Sequence, residues 1–401
     1  MLKKHIHLFL FSALFILGCE KEETTPNSDE KPVEINSDIN AVTVWKNIVN
    51  DPTKPDYIIK KSQLQVNENL TIEPGVVVAF EADGMMRVPI TSKGFILGKG
   101  TANNPIRFTG VVANSGSWRG VLILSADDRN EFDHCIFEYG GGAVMQTGIP
   151  KCNLAIWTQS AVSGKLRLTN STIRNSAGYG FYIGEKAIIN TFSNNTFSNN
   201  LNAGVLTTPS QVNKLDKTSI YNTDNGAKLV EISGDDFNEL TEHTWKNLGV
   251  GVFYRVAGTV NVLSGLVIEE GASFEMATNV MLRVKFPSGY LVAKGTAQNN
   301  ITFQGVVNSK GTWKGILFTS SDTRNEMSYC NISNGGGAVL ITGLSLANVG
   351  LFTQSGNTGK LNINNCIIQN SAGCGIAKDA ASVLTESANT HTNNTGNNIC
   401  E

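Results

Sequence analysis

The chain has 401 residues, 41% of them hydrophobic and 16% charged, with a formal net charge of −2. That balance supplies no basic field for nucleic acid, while the length is ample for a large core. The seven cysteines include no Cys-x-x-Cys pair, which leaves zinc-ribbon and thioredoxin-like chemistry without a motif. At the start, MLKKHIHLFLFSALFILGCE sets Lys3 and Lys4 ahead of an apolar run from Leu8 to Leu17. A membrane-spanning helix needs about 20 apolar residues, so residues 1–18 are expected to be a cleaved secretory signal.

Ile16-Leu17-Gly18-Cys19 resembles a bacterial lipobox. The resemblance implies that Cys19 becomes the first mature residue and carries acyl chains, making a membrane its first partner. Several chains anchor stably where a single chain binds marginally. Residues 19–32, containing EKEETTPNSDEKP, are too polar to bury a core and are expected to form a disordered acidic tether. The run Glu20-Lys21-Glu22-Glu23 is similar to the surface-export signal of Bacteroidota lipoproteins; the other reading is a solvated spacer facing the periplasm. The expectation is an outer-membrane lipoprotein displayed at the cell surface.

Beyond the tether the chain is written twice. GTANNPIRFTG at Gly100 returns as GTAQNNITFQG at Gly295, GSWRGVLI at Gly116 as GTWKGILF at Gly311, and RNEFDHCIFEYGGGAV at Arg129 as RNEMSYCNISNGGGAV at Arg324. The copies are assigned to 33–228 and 229–401, the second ending in a polar C-terminal cap. Within each copy the apolar residues alternate over strand-length runs. In Ile106-Arg107-Phe108 and Ile301-Thr302-Phe303 the inward pair stays large while the outward residue changes. Pro74-Gly75 suits a type II turn, and Asn-rich corners such as NSAG at Asn175 and Asn370 suit left-handed backbone.

The order LTIEPGVVVAFEADGMMRV, GFILGKGTANNPIRFTG, GSWRGVLIL, NEFDHCIFEYGGG resembles the right-handed parallel β-helix superfamily, the fold of pectate lyases, over residues 40–395. The resemblance implies an all-β solenoid built from a tandem duplication. Coils of about 20–25 residues, each advancing about 4.8 Å, predict roughly sixteen coils and a rod of about 75 Å. A propeller is the competing architecture, but no period of about 40–50 residues is visible.

The chemistry-bearing candidates are Asp127, Arg129 and Glu131, repeated as Asp322, Arg324 and Glu326. In an extended strand these would share a face. The family's polysaccharide lyases hold Ca²⁺ with carboxylates and take a proton with Arg or Lys, so the resemblance implies a lyase-like site here. The competing reading is a surface ion-pair cluster. Lys99/Lys294 and Arg119/Lys314 recur as basic positions and read as solubilising residues next to turns; the other reading is part of a stripe for anionic glycans along a stacked solenoid. Trp118 and Trp313 are expected to pack at corners, Cys135 and Cys330 to be buried small hydrophobes, and His134, opposite Tyr329, to be a core side chain. The triple glycines at 140–142 and 335–337 read as corners. No Gly-x-Ser-x-Gly elbow or His-Glu-x-x-His is present. The sequence reading is therefore a β-helix that binds a glycan or a surface protein, or serves as a spacer, with no cofactor. The alternative is a polysaccharide lyase or hydrolase on an acidic glycan, with Ca²⁺ as its cofactor if lyase-like.

Overall fold

A computed structural model describes residues 31–401. The signal, Cys19 and most of the tether lie outside the described residues. Short strands stack in parallel on three faces of a prism, and the chain visits the faces in a fixed order. Leu70–Ile72 lies on face one, Val77–Phe80 on face two and Met85–Val88 on face three, after which Ile96–Lys99 returns to pair with Leu70–Ile72. This is a right-handed parallel β-helix. Face three is a single 13-stranded sheet from Gln63–Gln65 to Thr390–Thr392. It runs through the boundary between the copies, which falls inside the strand Ala227–Ile232.

Thirteen coils at about 4.8 Å make a rod of about 60 Å, shorter than the sixteen coils expected. Segments 140–150 and 335–345 leave the coil as straps, so some coils are much longer than the estimate assumed. Each strap lays its own apolar residues on the outside of a sheet: Met145 and Ile149 over Leu122, and Leu340 and Leu344 over Leu317. The triple glycines are where the chain slips out under its neighbours. A Cβ on Gly142 would meet the Gly116 carbonyl at 2.2 Å, and one on Gly337 would meet that of Gly311 at 2.2 Å.

The inward side chains form one continuous core. Ile106, Phe108, Ile301 and Phe303 are all buried in it. Aromatic rings stack from coil to coil, Phe108 on Phe137 at 4.8 Å and Phe274 on Phe303 at 5.1 Å. Trp118 is buried against Phe80 at 4.3 Å and donates its indole N–H to the Glu138 carbonyl at 2.8 Å. Trp313 donates to Ser333 in the same way, so both tryptophans pack at corners as expected. Cys135 and Cys330 are buried, and desolvation pushes both thiols well up. Gly75 takes the left-handed φ its turn requires, at 86°, and Asn175 and Asn370 each turn their corners at 55°.

His134 and Tyr329 depart from expectation. Both stand in left-handed corners, at φ 49° and 48°, and both are partly exposed rather than in the core. The corner, not the interior, explains why two such different side chains are interchangeable there.

The second copy is turned relative to the first. Ile106–Gly110 lies on face two, but its counterpart Ile301–Gly305 lies on face three. Gly120–Ile123 lies on face three, whereas Gly315–Phe318 belongs to the seven-stranded sheet that continues face one. The cause is a count. From Thr43–Trp45 to His243–Trp245 the chain makes seven coils and one third, with the 3-10 turn Pro209–Lys214 filling one strand position on face one. A duplicated element therefore reappears one face further round. Lys99 and Lys294 consequently end on different faces, as do the strands after Arg119 and Lys314, and no basic stripe forms.

At the C-terminal end the last strands, Val383–Ser387, Thr390–Thr392 and Ile399–Cys400, are largely polar and exposed. A disulfide between Cys374 and Cys400 pins the final strand to the coil before it.

Candidate functional site

Arg107 leaves the outward side of Ile106–Gly110, Glu138 that of Cys135–Glu138, and Arg174 that of Thr172–Arg174. These are three successive strands of face two, so stacking brings the side chains together. Arg107 Nη2 donates to Glu138 Oε1 at 2.5 Å, while Arg174 Nε and Nη2 donate to Oε2 at 2.9 and 2.7 Å. Glu138 is fully buried beneath the two guanidiniums. A buried carboxylate is tolerated only when paired and hydrogen-bonded, and here two cations share one anion. The ladder carries one net positive charge.

Two cavities open beside it, and Arg107 and Val77 line both. One, of about 180 Å³, presents Asn47, Asn50 and Asn104; the other, of about 230 Å³, presents Thr53, Thr109 and Tyr139. Between them Arg107 Nη1 donates to the Pro52 carbonyl at 2.7 Å. The wall carrying Pro52 is held down by the buried Asp56. Its Oδ1 accepts the N–H groups of Ile48 and Val49, and its Oδ2 that of Val77, each at 2.7 Å. The result is a polar groove with an aliphatic floor and a guanidinium at its midpoint, able to bind a hydroxyl-rich anion by hydrogen bonds and charge.

The groove belongs to the first copy alone. Thr302, Ser333 and Gln369 stand where the first copy has Arg107, Glu138 and Arg174, and the segment from Trp245 to Tyr254 is three residues shorter than that from Trp45 to Tyr57. In sequence Arg107 reads as a freely changing outward residue. The signal for the ladder is stacking register, which the strap between Glu138 and Cys152 conceals.

The residues singled out from sequence have a different geometry from the one expected. Asp127 to Asn130 form a turn rather than extended strand: Arg129 N–H donates to Asp127 Oδ1 at 2.9 Å, and the strand begins only at Glu131. Arg129 grips the same carboxylate through Nε and Nη2, at 2.9 and 2.7 Å, and lies 4.0 Å above the Phe95 ring. In the second copy Arg324 grips Asp322 and lies 3.6 Å above Tyr290. The guanidinium in each pair holds its carboxylate below the usual range. Glu131 is occupied by Lys99 at 3.0 Å and Glu326 by Lys294 at 2.8 Å. Both clusters are corner staples closed on themselves, and the turn of the second copy puts them on different edges of the prism.

Beside the second staple a shallow cavity of about 310 Å³ exposes Lys360, Asn362 and Thr323. In the first copy Lys165 is instead paired with Asp128 at 2.8 Å. Among the described residues no three His, Cys, Asp or Glu side chains converge as metal ligands.

No protein family and no curated protein matches the chain. Among solved structures the chain is similar to the periplasmic alginate epimerase AlgG, with a TM-score of 0.28 and 11% identity over 82% of this chain and 78% of that one. It is also similar to the Agl-KA catalytic domain, with a TM-score of 0.21 and 12% identity over 90% and 70%. Likeness at that level carries no argument about activity; the fold rests on the sheets themselves.

Proposed function

We propose that this chain is a lipid-anchored, surface-displayed β-helix that binds an acidic glycan in the groove over face two of the first copy. The observation that carries the reading is the Arg107–Glu138–Arg174 ladder, in which two guanidiniums share one carboxylate and Arg107 stands between two polar cavities. Each cavity suits one sugar ring, asparagine and threonine side chains supply donors and acceptors for hydroxyls, and the guanidinium suits a carboxylate between them. Cys19 and the acidic tether would hold the rod at a membrane and let it reach outward. The role proposed is binding.

The test is a titration of the mature chain without its lipid against uronate oligosaccharides and their carboxyl-reduced, neutral counterparts. Binding of the acidic series, weakened at least tenfold by Arg107→Thr, is the expected result. Equal binding of both series, or of neither, refutes the reading. Release of unsaturated product would replace it with a lyase.

A further inference from the structure

Of the nine arginines in the chain, six hold a carboxylate within 4.0 Å. Arg167 is exposed. The two that remain, Arg87 and Arg283, are counterparts in the duplication, and both are half-buried on the outward side of a sheet. Each makes the same single side-chain bond, Arg87 Nη2 to Gln159 Oε1 at 3.0 Å and Arg283 Nη2 to Gln354 Oε1 at 2.6 Å. In each the Nε–H is buried with no partner, as it also is in the carboxylate-bound Arg107 and Arg255. Burial alone pushes both guanidiniums down from their ordinary value, with no carboxylate to offset it. A half-buried cation with one neutral acceptor is costly to keep.

The partner is delivered by a device that both copies preserve. Thr158–Gln159 and Val162–Ser163 form an antiparallel hairpin whose turn residues Ser160 and Ala161 both have positive φ, 50° and 64°. In the second copy Ser355 and Gly356 turn at 52° and 77°, closing the bridge from Gln354 to Asn357. A left-handed alanine is strained, and such strain persists where the surroundings dictate it. Next to each arginine on the preceding coil stands a second amide, Gln65 beside Arg87 and Asn261 beside Arg283. Other outward charges of the first copy, Arg107, Asp133, Glu138, Arg167 and Arg174, are neutral residues in the second. The arginine and its glutamine survive the same drift, on different faces but between equivalent neighbours, an amide on one side and Leu122 or Leu317 on the other.

The geometry points to a pair of equivalent oxyanion sites, one per copy, in which Arg87 with Gln159 and Arg283 with Gln354 each take a carboxylate or sulfate group of an acidic glycan. Guanidinium nitrogens match such groups in a fork. Because the second copy is turned by one face, the sites look in different directions and act independently, so one chain takes two ligand groups. The inference does not depend on the groove at Arg107, which lies on another face.

The test follows the arginine Nε–H resonances of the full mature chain, assigned with Arg87→Lys and Arg283→Lys, during titrations with sodium glucuronate, sodium sulfate and glucose at constant ionic strength set with chloride. The expected result is that both resonances shift and saturate together with glucuronate or sulfate and stay still with glucose. Arg87→Lys should abolish one site and leave the affinity of the other unchanged. Gln159→Leu, which keeps the arginine, should weaken the first site several-fold. The proposal is overturned if neither resonance responds to either oxyanion, or if chloride alone produces the same shifts. Loss of acidic-oligosaccharide binding in Arg107→Thr with both Nε–H titrations intact would concern the groove only.

Discussion

The two copies share a core and not a surface. Inward residues are nearly the same, Ile106 and Phe108 against Ile301 and Phe303, because each must fill the same space over the same kind of neighbour. Outward residues are under no such constraint. The first copy has built a charged ladder and a walled groove where the second has Thr302, Ser333 and Gln369 and a shorter entry loop. Duplication followed by a one-face turn thus gives one rod with differently equipped sides. What both copies keep on the outside, the corner staples and the Arg–Gln clips, is what drift has not removed.

The interiors of the two copies should respond alike to the same truncation. Phe108→Ala and Phe303→Ala are each expected to cost about 3–5 kcal/mol, equal to within about 1 kcal/mol, read as urea midpoints. Unequal losses would mean the two interiors are not equivalent. Next in size is an element without a twin. Tyr179 stands opposite Cys374, so only the second copy can close Cys374–Cys400. Cys374→Ser removes a loop closure of 26 residues worth about 3.5 kcal/mol in the chain-entropy account. In a solenoid the loss should be local, with faster amide exchange at Ile399 and none at Phe108.

Glu138→Ala sharpens the outward contrast. It leaves two guanidiniums unpaired over a buried site, with an expected loss of about 3 kcal/mol, whereas Ser333→Ala should change stability by no more than about 0.5 kcal/mol. The smallest effect concerns the staples. The carboxyls of Asp127 and Asp322 are depressed by hydrogen bonds from Arg129 and Arg324. Their contribution is therefore complete above the unfolded value and lost as pH falls through the folded one. The Tm difference between wild type and Asp127→Asn should be constant above about pH 5 and close below about pH 4.

Much of this fold was legible because its rules are local. Period-two alternation exposed Ile106 and Phe108, positive-φ chemistry exposed Gly75 and Asn175, and the repeated phrases exposed the duplication. What stayed hidden depends on counting. Arg107, Glu138 and Arg174 meet only once coil lengths are known, and straps make those lengths irregular. The one-face turn depends on the number of strands modulo three, which no single stretch reveals. Cys374 and Cys400 carried no signal of pairing. Asp127 and Arg129 looked like one edge of a strand, but Asp127 hydrogen-bonds the backbone two residues on and makes a turn instead. The Arg87 and Arg283 clips were visible in principle, as MMRV and MLRV with WTQS and FTQS, had retained outward residues been sought as well as retained inward ones.

Both copies form one rod with the second turned by one face, an arrangement that hinges on the register at the junction. Leu206 and Glu231 are side-by-side partners on face three across that junction. Leu206→Cys with Glu231→Cys should close a disulfide under mild oxidation, since neighbouring parallel strands fall within the required Cα separation of about 4.4–6.8 Å, and peptide mapping should find 206 joined to 231. A protein that stays reduced at these positions while remaining folded would mean the copies are separate blocks, and the account of its faces would fail.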